Sequence, residues 1–147
     1  VIDATFQDWR PRLLRFCTQL LRNGHDAEEV VQDVFTTLVA HGNRYDLAAE
    51  PGVLLFRLAR NRCIDVRRKM VVPTRDDVDR VATPAGRDQD LDEALAALPA
   101  AEREALLLTA VDGLGYREVA AILHCSLGTV AALRYAAIEK LRRRLPR

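Results

Sequence analysis

Apolar residues return every three to four positions through most of this 147-residue chain, as they do in helices that lie on a core, and no stretch alternates as a strand would. Phe6, Trp9, Leu13, Phe16, Cys17 and Leu20 predict a first helix over about Phe6 to Arg22. Thr5 and Asp8 suit its N-terminal cap, Pro11 a kink or the true first turn, and Asn23-Gly24 its stop. Trp9 on this stripe reads as core, with a base-stacking platform as the sharper alternative. The segment DAEEVVQDVFTTLV is the cleanest amphipathic run: Ala27, Val30, Val31, Val34, Phe35, Leu38 and Val39 share one face. Asp26 and Glu29 cap the positive end of its dipole, and Glu28, Glu29, Gln32 and Asp33 form an acidic, amide-bearing outer face.

From about His41 to Gly52 the rhythm breaks into a loop, HGNRYDLAAEPG, with Pro51 near the start of the next helix. That helix, Leu54 to Lys69, sets Leu55, Ala59, Cys63, Val66 and Met70 on one side. Residues 71 to 90 hold two prolines, a glycine, five aspartates and no apolar period, which predicts a flexible or extended acidic linker. A short capped helix follows from Asp90 to Leu98-Pro99, and another spans about Ala100 to Val111, closed by Asp112-Gly113. The last stretch, Gly115 to Arg144, reads as a short helix (YREVAAIL), a turn at His124-Cys125, and a longer helix capped by Ser126 with Thr129 at its third position. Leu127, Val130, Leu133, Ala137, Ile138 and Leu141 are its expected inward residues. This short helix, tight turn and longer helix have the geometry that lets the second helix lie in a DNA major groove; two helices of an ordinary bundle are the plain alternative.

Composition sharpens the picture. Alanine and leucine dominate and aromatic residues are scarce, so the fold class is all-α: two small helical bundles joined by an acidic linker, the second ending in a helix-turn-helix. The expected boundaries are residues 1–70, 71–90 and 91–147. Net charge is only +1, but it is unevenly spread, and the thirteen residues from Arg57 to Lys69 carry six basic side chains against one acid. Arg57, Arg60, Asn61, Arg67 and Arg68 cluster on one face, with Arg62 and Lys69 beside it. Such a row suits phosphate, although a solvated, salt-bridged surface would have the same composition. The loop residues Asn43, Arg44 and Tyr45 could hold an unstacked base, with a simple connector as the alternative.

Other chemistry is poorly supported. No stretch approaches the roughly 20 apolar residues of a membrane-spanning helix, and there is no signal-peptide pattern. The three cysteines, Cys17, Cys63 and Cys125, lie far apart within helical patterns, which suits reduced thiols in the cytosol. His124 beside Cys125 has no companion at zinc-site spacing, so no metal or other cofactor is expected. No nucleophile with a base and no phosphate-cradling glycine loop appears, which argues against an enzyme.

Three motifs, DAEEVVQDVF (Asp26 to Phe35), LFRLARNRCIDVRRK (Leu55 to Lys69) and LDEALAALPAAEREALLLTAVDGLGYREVAAILHCSLGTV (Leu91 to Val130), together resemble the extracytoplasmic-function group of bacterial sigma factors. The resemblance implies a cytoplasmic, two-domain initiation factor whose partners are core RNA polymerase, promoter DNA and an anti-sigma protein. By that resemblance Asp26, Glu29, Gln32 and Asp33 dock on the polymerase clamp helices, and Arg57, Arg60, Asn61, Arg67 and Arg68 read the minus-ten element. The loop around Asn43 to Glu50, with Arg44 and Tyr45, would take an extruded base. The helix from Ser126 would read the minus-thirty-five element, and here either the target is unusual, or the domain relies on Thr129, Arg134, Tyr135 and the basic tail of Lys140, Arg142 and Arg143, or it depends on a partner. The chain departs from the family pattern at Ala131, Ala132 and Leu133, where lysine and arginine are frequent, and at Arg134, where a core leucine is usual. A stand-alone regulator binding operator DNA as a dimer and a helical adaptor for an acidic protein are the competing readings.

Overall fold

A computed structural model of the protein describes residues 2–41, 50–69 and 89–145, and these are helical, with no strand among them. The chain divides into two compact units, Val1–Val81 and Ala82–Arg147. No single described helix is long and apolar enough to cross a membrane.

The first unit is built from α1 (Ile2–Leu21), α2 (Gly24–His41) and α3 (Pro51–Lys69), each packed on the other two. The first helix starts earlier than its apolar stripe suggests. Thr5 and Asp8 therefore lie inside it and do not cap it, and Pro11 is an interior residue, not a first-turn one. The helix stops at Arg22, which takes a left-handed φ of 56° and donates its N–H to the Thr18 carbonyl at 2.8 Å. Asn23 then caps α2: its Oδ1 accepts the Asp26 N–H at 3.0 Å, so a neutral side chain holds the helix start and Asp26 sits in the first turn. In the core, Leu13, Phe16 and Cys17 of α1 are buried, as are Val30, Val31 and Leu38 of α2 and Leu55, Phe56, Ala59 and Cys63 of α3. Val66 is half-buried and Val39 is exposed, so two positions of the expected stripes run off the ends of the core.

Aromatic rings set the spacing of this unit. Phe16 meets Phe56 edge-on at 5.3 Å between centroids, and Trp9 meets the same ring edge-on at 6.1 Å. Gly52 lies under the indole, where an added Cβ would come within 2.6 Å of Trp9. With Arg12 stacked 4.2 Å from the centroid of its ring, Trp9 is engaged as a spacer between α1 and α3, which answers for its place on the stripe.

The second unit contains α4 (Gln89–Ala97), α5 (Ala100–Leu106), α6 (Tyr116–Leu123) and α7 (Leu127–Arg144). Beyond Leu106 the chain widens into π-helical turns over Leu107–Val111, the Asp112 N–H reaching the Leu107 carbonyl five residues back at 3.0 Å. Gly113 turns the chain with a φ of 68°. Ala94, Leu95, Leu98, Leu108, Val119, Ile122, Val130 and Ala137 form the core. Buried among them is Arg103, whose guanidinium donates to the carbonyls of Leu95 (3.0 Å), Ala96 (3.1 Å) and Leu98 (2.9 Å). It closes the C-terminal end of α4 with a charge of the right sign for the helix dipole.

Candidate nucleic-acid interface

On α2 the acidic face survives folding. Glu29 and Gln32 are exposed, Asp26 and Asp33 half-buried. Glu29 faces His25 Nε2 at 3.1 Å, an i,i+4 pair open to solvent. Asp33 is engaged differently. Its Oδ2 accepts from Arg62 Nε of α3 at 2.9 Å, joining the acidic helix to the basic one. Arg62 is thereby drawn off the basic row and into the α2–α3 seam, because it stands well round α3 from Arg57, Asn61 and Arg68. Beside this pair runs a groove of about 410 Å³ lined by Asp33, Thr36, Thr37, Leu58, Asn61 and Asp65 among others. Sequence reasoning missed Thr36, Thr37 and Leu58 because the groove belongs to two helices at once.

Along α3, packing consumes Leu55, Ala59 and Cys63, and none of the basic residues from Arg57 to Lys69 is buried. Asn61, Arg67, Arg68 and Lys69 are exposed; Arg60 is half-exposed. Arg57 is more constrained, with its Nε inside the fold and unpartnered among the described residues. Asn43, Arg44 and Tyr45 lie outside the described residues. Cys17 and Cys63 meet within the core, and this contact together with burial holds the Cys17 thiol far above its ordinary range, so it stays protonated.

In the second unit, Gly115 donates its N–H to Glu118 Oε1 at 2.9 Å to start α6, and His124 ends that helix in a left-handed conformation with φ 59°. The chain then turns by 97° into α7. Ser126 accepts the Thr129 N–H at 3.1 Å, and the two hydroxyls share a further bond of 2.9 Å. The caps that a helix-turn-helix needs are thus supplied locally. Val130 and Ala137 face inward, but Leu127 is 47% exposed, against the expectation that it belongs to the core. It sits in the first turn of α7, ahead of Val130 and Ala137, the residues through which that helix is buried. Tyr135 is 69% exposed, while Arg134 and Leu133 are half-buried. Lys140 is tied to Glu102 of α5 by two contacts of 2.9 Å, and Arg142 pairs with Glu139 at 3.3 Å. Arg143 and Arg144 are exposed.

Family models match both units: Sigma-70 region 2 over residues 5–70 and Sigma-70 region 4 over residues 88–141. The chain belongs to the extracytoplasmic-function group of RNA polymerase sigma factors. Among relatives of this sigma factor, RNA polymerase sigma factor CarQ of Myxococcus xanthus is 29% identical over 95% of the chain and 86% of its own length. Sigma factor SigM of Bacillus subtilis is 28% identical over 96% and 93%. SigE of Mycolicibacterium smegmatis is 31% identical, with 95% of this chain matching 60% of that protein. A solved structure of the sigma factor RpoE with the anti-sigma factor NepR from Bartonella quintana superposes with a TM-score of 0.81 at 26% identity, covering 97% and 96% of the two chains. CnrH, solved with the cytosolic domain of CnrY, shares the fold at 24% identity and a TM-score of 0.75, over 97% and 85%. A stand-alone dimeric regulator is not favoured, since nothing in that reading calls for the region 2 match across the first unit of this sigma factor.

Proposed function

We propose that this sigma factor holds core RNA polymerase with the acidic face of α2 and promoter DNA with α3 and α7, acting in the cytoplasm where the polymerase works. One observation carries the reading. The apolar stripe of α3 is spent on the core, so Asn61, Arg67, Arg68 and Lys69 are exposed beside an acidic helix that touches this row through the Asp33–Arg62 pair. Opposite charges on adjacent helices of one unit suit two partners of opposite character. Asp26, Glu29, Gln32 and Asp33 suit a basic protein surface, and Arg57, Arg60, Asn61, Arg67 and Arg68 suit a nucleic-acid backbone and its exposed bases.

The first unit would serve the minus-ten element and the second the minus-thirty-five element, with residues 71–90 joining them. Opening the duplex costs a few kcal/mol for each unstacked base, which phosphate contacts and a base pocket offset. The chain supplies binding energy and no covalent chemistry. Asn43, Arg44 and Tyr45 are assigned to the extruded base, and Ser126, Thr129, Arg134 and Tyr135 to the minus-thirty-five duplex. Arg142 and Arg143 reach phosphate. Lys140 does so only by leaving Glu102. The sigma factor RpoE, solved with the anti-sigma factor NepR, supports a comparable partner that masks these faces.

The test is co-elution with bacterial core polymerase, followed by run-off transcription from a genomic promoter pool. Asp33→Arg is expected to abolish core binding while the fold persists, because the exposed Asp33–Arg62 pair contributes only about 0–1 kcal/mol. The swapped variant Asp33→Arg with Arg62→Glu restores an internal pair but leaves binding lost. Unchanged core affinity in both variants would remove Asp33 from the docking face.

A further inference from the structure

The outer face of α7 is apolar where a reader of bases is usually polar. Leu127, Ala131 and Tyr135 recur every four residues, with Ala132 alongside, and all four are exposed. Guanine is read in the major groove by arginine or lysine and adenine by asparagine or glutamine. Between Ser126 and Tyr135 the chain offers only Arg134, which is half-buried on the flank of the helix towards the core. The hydroxyls of Ser126 and Thr129 bond to each other and to the Thr129 N–H of the cap, which leaves one O–H and the remaining lone pairs for the duplex.

The surroundings indicate what covers this stripe. From Arg117 to Ile138 the only acid is Glu118, and it is bonded to the Gly115 N–H. Glu139, at the far end, is paired with Arg142. Arg142, Arg143 and Arg144 are exposed beyond it. An exposed apolar strip on a helix set at 97° to the one before it, free of unpaired acids and ended by arginines, complements a groove whose walls are phosphate and whose floor has one apolar feature, the 5-methyl group of thymine.

We propose that α7 selects its promoter element by packing Leu127, Ala131 and Ala132 on thymine methyl groups, with Tyr135 closing the contact, so that thymine positions outweigh guanine in this sigma factor's minus-thirty-five element. This rests on the reading that α7 is the major-groove helix. Ala131 and Ala132 have no rotamers to order, and Leu127 and Tyr135 have two side-chain torsions each, so the contacts order far less than a lysine or arginine would, and the arginines supply affinity that is blind to sequence.

The experiment uses holoenzyme assembled from the full chain and core polymerase, with a promoter-duplex pool randomised across both elements. In the selected duplex each thymine of the upstream element is replaced singly by deoxyuridine, which removes only the methyl group. Two or more positions are expected to lose about fourfold in affinity, the effect of one buried methyl. In Leu127→Ala one of those losses should disappear. Ala132→Lys should move the selected sequence towards guanine. A selected upstream element that is indifferent to deoxyuridine overturns the inference while leaving α7 as the reader. No upstream preference at all, together with unchanged duplex affinity in Tyr135→Asp, overturns the reading of α7 as well. A dimer in sedimentation equilibrium that Leu127→Ser dissociates would assign the stripe to a second copy of the chain, and the inference would fall.

Discussion

Arg103 offers the sharpest test of how the second unit is held. Replacing it with methionine keeps most of the aliphatic stem and removes the hydrogen bonds to the carbonyls of Leu95, Ala96 and Leu98, leaving them without their donor. A hydrogen bond from a charged donor contributes about 1.5–3 kcal/mol when buried, and less at the half-exposed Ala96 carbonyl. The charge at the C-terminal end of α4 adds about 0.3–1 kcal/mol. Against these stands the relief of returning a buried guanidinium to water in the unfolded chain, which brings the expected loss to about 3 kcal/mol. A unit of this size is stable by roughly 3–9 kcal/mol, so the loss takes away between about a third and all of its stability. The assay is urea unfolding of the full chain read by two probes. Trp9 is the only tryptophan, so its fluorescence reports the first unit, whereas far-ultraviolet circular dichroism reports helix in both. In Arg103→Met the dichroism transition should split, with an early phase that fluorescence does not show. Arg103→Lys, which keeps the charge but offers fewer aligned donors, should lose about half as much. A dichroism midpoint within about 0.5 kcal/mol of the parent in Arg103→Met would refute the reasoning, since the carbonyls would then have found other partners at no cost.

Three further outcomes follow from the same geometry. Gly52→Ala places a Cβ within 2.6 Å of the Trp9 ring and should destabilise the first unit by about 1–3 kcal/mol, visible in tryptophan fluorescence on unfolding. Of the three thiols, Cys125 should react rapidly with a disulfide reagent in the native protein. Cys17 and Cys63, buried against each other, should react only as the first unit unfolds, and fast modification of all three would contradict their burial. Arg68→Ser should weaken holoenzyme binding to promoter DNA across sequences and lower the log–log salt slope by about 0.9, the signature of one phosphate contact; a change in sequence preference with an unchanged slope would argue for base contact instead.

The helical rhythm of α2 was legible without coordinates because Ala27, Val30, Val31, Val34 and Leu38 all meet neighbours, so periodicity and burial coincide. The same rule misplaced Leu127. Periodicity reports which residues share a side of a helix, not whether anything lies opposite, and Leu127 stays 47% exposed in the first turn of α7. The helix ends were less legible than their middles: Asn23 caps α2 where an acidic cap was expected, and Arg22 takes the left-handed turn that Asn23-Gly24 seemed made for. A single backbone angle decides which of three adjacent residues turns the chain, and composition does not set it.

By itself, then, the sequence determined the all-α class, the basic character of α3 and the family, because each depends on residues close together along the chain or on their order. Tertiary structure decided which charges are engaged. Arg62 is 29 residues from Asp33, and Lys140 is 38 from Glu102, separations at which only the packing of helices can choose a partner. It also placed Arg103 inside the second unit, where desolvation gives three ordinary backbone carbonyls a claim on a charged side chain that water would otherwise have met.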